Sequence, residues 1–314
     1  MSFSVERFRA GTVDVVALRN HANGEWAEIL PGFGGTVHRL ALDTGKGVEQ
    51  ALDCDADREI PENPKSRGRL LFPWNDRLPA ARFSFEGRTV QMTPDKGDGS
   101  RIHGLIRFAR MELLGESADE TGAELKLGIE LDDPAKFDGW PYRLRLEVRY
   151  RLETGRLRLE FRISNPGSRN APVALGWHPY FTLGGSIEGA TLRLSGDRFV
   201  EVGADLMPSG RVPSVEGTSL DFRNGGALGK EELDVALSSG DGVARLERGG
   251  CAVELRQDPK FFRWFQLYTP PGNRSIAIEP VSGATDALNR PELGLTVLKP
   301  GEVVESWCEV VAPR

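Results

Sequence analysis

The stretch YRLRLEVRYRLETGRLRLEFRISN, residues 142–165, decides the fold class. Leu144, Leu146, Val148, Tyr150 and Leu152 alternate with Arg143, Arg145, Glu147, Arg149 and Arg151. A period of two sends each set to one face of an extended strand. After Glu153-Thr154-Gly155 the pattern resumes with Leu157, Leu159, Phe161 and Ile163, so the Thr-Gly step closes a hairpin. One face is apolar and the other charged, as in antiparallel sheet with one wet side.

Outward from this hairpin the same period recurs at residues 82–89, 124–131, 191–194 and 275–279. No stretch sustains apolar spacings of three and four over several turns, so helices are expected to be few and short, near 63–68 and 229–233. The 37 glycines and 20 prolines are spread along all 314 residues, which suits many short strands joined by turns. No low-complexity linker or step in composition divides the chain. The expectation is an all-β protein: one large antiparallel β-sandwich domain over residues 1–314.

The net charge of −6 comes without a Lys/Arg block, which argues against nucleic acid or an anionic membrane as partner. Cys54, Cys251 and Cys308 are odd in number and far apart, unlike a disulfide framework or a zinc site. The first residues lack the order of a signal peptide, and no apolar run approaches the ~20 residues of a membrane span. A cytoplasmic location is expected. The oligomeric state is not legible.

Four histidines are present, and two stand in conspicuous settings. His178 lies in Gly176-Trp-His-Pro-Tyr-Phe181, where Pro179 removes a backbone donor and restrains its predecessor, so His178 is expected where a strand ends. His103 precedes Gly104, which permits close backbone approach. A hydrogen-bonded structural role is the alternative for either. Glu279 ends Ser275-Ile-Ala-Ile-Glu279. Ile276 and Ile278 share one face, and Glu279 shares the other with the small Ser275 and Ala277. A carboxylate on a face cleared of bulk suits a general base in a cleft; a solvated strand-end glutamate is the alternative. Arg77 offers a donor fork to sugar hydroxyls or ring oxygens, or else pairs with Asp76.

Taken in order, Asn75-Asp-Arg-Leu78, His103-Gly104, Gly176-Trp-His-Pro-Tyr-Phe181, Ile278-Glu-Pro-x-x-Gly-x-x-Asp-Ala-Leu-Asn289 and Gly294-Leu-x-Val-Leu-Lys-Pro-Gly301 resemble the aldose 1-epimerase (galactose mutarotase) family. The resemblance runs from about residue 25 to the end. It implies a galactose mutarotase-like supersandwich with a groove on one sheet, a sugar substrate, and no cofactor or metal. It implies Glu279 as catalytic base and His178 as catalytic acid. His103, Arg77 and Asp234 would bind the sugar, with Trp264 and Gln266 as further groove candidates. Glu279 would start ionised and His178 protonated, each held so by a neighbouring opposite charge.

The family usually places Asn directly before the Arg, whereas Asp76 intervenes here. His103-Gly-Leu-Ile-Arg107 is similar to the His-Gly-x-x-Arg of hexose-6-phosphate mutarotases, so a hexose-6-phosphate 1-epimerase using Arg101 and Arg107 is a rival. A non-catalytic carbohydrate-binding protein on the same fold is another. A glycoside-cleaving enzyme would use two flanking carboxylates, and only one is well placed.

Overall fold

The computed structural model describes residues 2–54, 62–183, 186–229, 232–272 and 274–313. Antiparallel strands make up nearly all of its regular structure. The hairpin at 142–165 forms as its alternation requires, with strands Leu144–Glu153 and Arg156–Ser164. Glu153 pairs with Arg156, leaving a two-residue turn in which Gly155 takes φ +71°. Leu144, Leu146, Val148, Tyr150 and Leu152 are all buried.

This hairpin sits within a nine-stranded sheet that also contains Glu112–Ala118, Ala123–Leu131, Val303–Val311, Cys251–Gln257, Val243–Arg248, Thr191–Leu194 and Gly226–Ala227. A six-stranded sheet is centred on Ile276–Val281, with Trp264–Tyr268 and then Asp234–Ser238 on one side. On its other side the central strand pairs with two short strands, Gly176–Trp177 and Tyr180–Phe181. Leu70–Leu71 completes this sheet beyond Gly176. A five-stranded sheet spans Phe3–Ala10, Val13–Asn20, Trp26–Leu30, Thr36–Asp43 and Val48–Gln50. Just beyond its last strand, Leu52 forms an isolated bridge to Phe181 of the six-stranded sheet.

The inner faces share one apolar core. Ile276, Ile278, Phe265, Leu267, Trp177 and Phe181 from the six-stranded sheet pack in the same cluster as Leu146, Val148, Leu159, Phe161 and Val310 from the nine-stranded one. Tyr150, in that core, donates its hydroxyl to the Gly35 carbonyl at 2.6 Å, so its polar end is satisfied.

Two details differ from the expectation. Residues 82–89 fold back at Glu86-Gly87, both with positive φ, giving strands Arg82–Phe85 and Arg88–Gln91. Such a pair of left-handed residues matches the twist of a tight hairpin. Residues 63–68 form turns and no helix, and Lys230 and Glu231 within 229–233 lie outside the described residues. Among the described residues the helical segments are three short 3-10 turns, Pro31–Phe33, Pro79–Ala81 and Pro291–Leu293, each with proline at its start.

Candidate active site

The outward face of the six-stranded sheet carries the cleft, and strand register explains its contents. Gln266 pairs with Glu279 across neighbouring strands, and Tyr268 pairs with Ala277. On the other flank Gly176 pairs with Val281 and Tyr180 with Ala277. The same register carried across the break at His178-Pro179 sets His178 opposite Glu279. One row therefore reads His178, Glu279, Gln266, and the next reads Tyr180, Ala277, Tyr268. Residues two apart on a strand share a face, so both rows look outward. The small Ala277 lets the two tyrosine rings meet edge to face above it, with centroids 6.3 Å apart.

His178 Nε2 lies 3.5 Å from Glu279 Oε1, with both side chains almost fully buried. The backbone of His178 is tied to the neighbouring segment: its amide donates to Arg69 O at 3.0 Å, and its carbonyl accepts from Gly68 N at 2.8 Å. Its ring stacks on Tyr180 at 4.9 Å and meets the His103 ring edge-on at 5.1 Å.

His103 is held by a reciprocal backbone contact. Its amide donates to Asp76 O at 3.0 Å, and its Nδ1 accepts from Asp76 N at 3.2 Å. An accepting Nδ1 leaves the proton of the neutral ring on Nε2. Both His103 and Asp76 adopt positive φ, +63° and +54°, a backbone state that costs non-glycine residues energy and clusters at functional sites. The following Gly104, at φ +71°, lies so near Phe72 that a Cβ would come within 2.1 Å of its carbonyl oxygen.

The resulting cavity has a volume of about 170 Å³. Its lining includes Arg77, His103, His178, Asp234, Gln266 and Glu279, six of the seven residues selected from the sequence. Gln266 Nε2 donates to Asp234 Oδ1 at 2.7 Å, and Arg77 Nη1 pairs with Asp98 at 3.2 Å. Trp264 is the exception. It stands on the cleft face one row beyond Gln266, but its ring packs with Val200, Ala236, Val281 and Leu293, and its indole N–H donates to Leu293 O at 2.8 Å. Its ring is taken up by that apolar cluster and does not line the cavity.

Asp76, Tyr180, Tyr268, Lys65 and Lys96 also line the cavity and were not selected from the sequence. The tyrosines had a readable signal, since they share strand parity with His178 and Gln266. Asp76 had none, because a left-handed backbone at a non-glycine residue is set by tertiary contacts. Arg101 and Arg107 lie outside the lining and are held in ion pairs with Asp138 and Asp95.

Burial dominates the electrostatics. It pushes Glu279 well above the usual carboxylate range, reinforced by the like charges of Asp76 and Asp234. Burial also pushes His178 down to about 3, opposed by its own backbone carbonyl and aided by Arg67 and Arg107. Where flanking opposite charges were expected, the charges acting most on Glu279 are anionic, and in the empty cleft burial favours the neutral form of both groups. His103 is driven well below its ordinary value by burial and then by His178, so it is a neutral donor. Asp234 rises to about 6 through burial and the nearby Asp76. Among the described residues no group of three or more His, Cys, Asp or Glu side chains is placed to hold a metal ion.

Comparison with known proteins agrees with this architecture. The aldose 1-epimerase family profile matches residues 14–310. Galactose mutarotase from Bos taurus is 29% identical over 93% of this chain and 92% of its own length. Aldose 1-epimerase from Escherichia coli (strain K12) is 25% identical over 70% of this chain, and the match spans 63% of that enzyme's length, under two thirds. Among solved structures, a galactose mutarotase-like protein from Clostridium acetobutylicum superimposes with a TM-score of 0.86 at 20% identity, covering 98% of both chains. Galactose 1-epimerase from Lactobacillus acidophilus gives 0.82 at 18% identity, again over 98% of both. At those identities the structural likeness speaks for the fold alone.

Proposed function

The chain belongs to the aldose 1-epimerase family, and from that premise we propose that it interconverts the α and β anomers of an aldose by acid–base opening and reclosure of the sugar ring. The observation that carries this reading is the buried His178–Glu279 pair, 3.5 Å apart across neighbouring strands.

Mutarotation needs a proton taken from the anomeric hydroxyl and another given to the ring oxygen. The ring opens to the aldehyde, the C1–C2 bond rotates, and the reverse transfers close the other face. One base and one acid suffice, and the pair's proton count is the same before and after. Glu279 serves as base and His178 as acid. In the empty cleft burial favours a proton on Glu279 over one on His178. Entering sugar hydroxyls supply hydrogen bonds that favour the ionised forms, so the proton passes to His178 as the contact tightens. His103 donates from Nε2 and Arg77 from its fork, both towards the ring oxygen and neighbouring hydroxyls. Asp234 and Gln266 take hydroxyls on the opposite side. A cavity of about 170 Å³ is smaller than the several hundred Å³ of sites for drug-sized ligands and suits one monosaccharide.

The phosphosugar reading loses its main support, because Arg101 and Arg107 are occupied by carboxylates outside the cavity lining. A binding protein without chemistry has no need of a buried proton-sharing pair. The test is anomer exchange followed by NMR across glucose, galactose, other aldoses and glucose 6-phosphate, with Glu279→Gln as control. Exchange of free aldoses that vanishes in the variant is the expected result. Exchange of phosphosugars alone would transfer the protein to that branch, and binding without exchange of any sugar would overturn the mechanism.

A further inference from the structure

We propose that Asp76 is a positioning residue for the catalytic proton: its carboxylate, facing the same cleft as Glu279 and Asp234, keeps that proton on the Glu279–His178 pair. This rests on the reading of the pair as the acid and base of the reaction. The mechanism needs Asp76 for nothing else. Its backbone alone aligns His103, through the amide to Nδ1 and the carbonyl to the His103 amide.

The side chain is nevertheless specifically placed. It lines the cavity together with Glu279 and Asp234. Thr285 donates its hydroxyl to Asp76 Oδ2. The loop bearing Thr285 is itself fixed, since Asp286 N donates to Arg77 O at 3.1 Å, and Asn75 Nδ2 donates to Gly283 O. A hydroxyl on a loop pinned at two points therefore holds the Asp76 carboxylate in a cavity that already contains two others. Like charges confined in low dielectric raise one another's proton affinity, and Asp76 is the leading charged neighbour acting on Glu279 and on Asp234.

The other groups in play are known. His178, Tyr180 and Asp234 surround Glu279. Arg77 acts on Asp76, and its fork is shared with Asp98. His103 lies against Asp76, with Lys96 also on the lining. Without Asp76, Glu279 gives up its proton at lower pH, the pair is emptied earlier, and His178 has nothing to donate.

The substitution Asp76→Asn separates charge from shape, because the backbone contacts to His103 are untouched. Two readouts belong together: the pH titration of the Glu279 side-chain carboxyl followed by carbon-13 NMR in the resting protein, and the pH profile of kcat/KM for mutarotation. In Asp76→Asn the carboxyl titration and the alkaline limb of the profile should both move down by about one pH unit. Thr285→Val leaves Asp76 in place without its hydroxyl donor and with only the Arg77 amide, so Asp76 protonates more easily, and the same shift should appear at smaller size. A Glu279 carboxyl that titrates at the wild-type pH in both variants would overturn the proposal. If Asp76→Asn does not fold, an unmoved titration in Thr285→Val is enough to do so. Should the protein exchange no sugar at all, the functional reading fails while the carboxyl titration still decides the role of Asp76.

Discussion

Two grooves lie on the outward faces of the two large sheets, and the larger one is not the one that holds the candidate acid and base. The groove on the nine-stranded sheet has a volume of about 520 Å³ and is lined by residues such as Arg149, Arg158, Glu160 and Trp307. There each charge meets its opposite. Arg149 reaches Glu124 at 2.8 Å and Glu160 at 2.9 Å, and Arg158 reaches Glu160 at 3.0 Å and Glu309 at 2.8 Å. On the same face burial pushes Glu254 up, but hydrogen bonds from Arg256 and Arg245 outweigh it and hold the carboxyl below its ordinary value. The cleft on the six-stranded sheet reverses this. Glu279, Asp76 and Asp234 share a cavity of about 170 Å³ and are all raised. Carboxylates on the open face are matched by arginine charge, whether half-exposed like Glu160 or covered like Glu309, and Glu254 is not left with a raised proton affinity of the kind seen in the cleft. Those in the cleft are held against their preference for water, which raises their proton affinity and fits the proposed proton transfer.

Substitution of one glutamate on each face should break the comparison most sharply. Glu279→Gln or His178→Asn should lower kcat by at least ~10²-fold with the fold intact, as loss of a general acid or base does. Glu160→Gln should leave kcat and KM unchanged. Steady-state rates with far-UV circular dichroism on each variant make the check. An inactive Glu160→Gln would show that the open face takes part, and a Glu279→Gln with wild-type turnover would remove that residue from the mechanism.

The stability of the fold against pH sharpens the same contrast. Asp234 is raised to about 6 in the folded state, against about 3.9 when unfolded. Between those values the native state binds more protons than the unfolded one, so this group's contribution falls as pH rises from about 4 to about 6. Asp234→Asn should remove that loss. The denaturant midpoint of the variant, measured relative to wild type at pH 4, 5, 6 and 7, should climb across the window and level off above it. A difference that stays flat with pH would mean that Asp234 is not strained in the native cleft.

The contrast between the faces also explains what could be read from the sequence. The nine-stranded face was legible because it is local: the alternation at 144–152 and its Thr154-Gly155 turn carry both the strand and its exposure. Glu279 was legible for the same reason, as a carboxylate between small residues with isoleucines on the opposite face. Its partner was less so. His178 and Glu279 are a hundred residues apart in sequence and meet through a register that spans a proline break. That burial favours the neutral forms of both groups in the empty cleft was not legible, because desolvation depends on everything that covers them. Trp264 has the parity of a cleft residue, and only the packing of Val200 and Leu293 over its ring takes it out of the cavity. Asp76 was passed over because its placement depends on Thr285 and His103, each distant in the chain.

The smallest expected effect tests the quieter half of the comparison. Arg149 bridges two carboxylates on flanking strands, and its side chain is 37% exposed. An arginine so placed gains modest Coulomb energy in high dielectric and loses rotamer freedom to hold it. Arg149→Ala should therefore change the unfolding free energy by no more than about 1 kcal/mol. A double-mutant cycle with Glu160→Gln should give a coupling of roughly 0.2–1 kcal/mol that shrinks as salt is raised. The arginines here each touch more than one carboxylate, so the network is the condition under which such pairs could matter more. A coupling of several kcal/mol that resists salt would mean that the lattice behaves as a shielded unit. The two faces would then differ in the sign of their balance and not in their exposure to water, and the pairing of charges on the open face would have to be counted among the forces that hold the sandwich together.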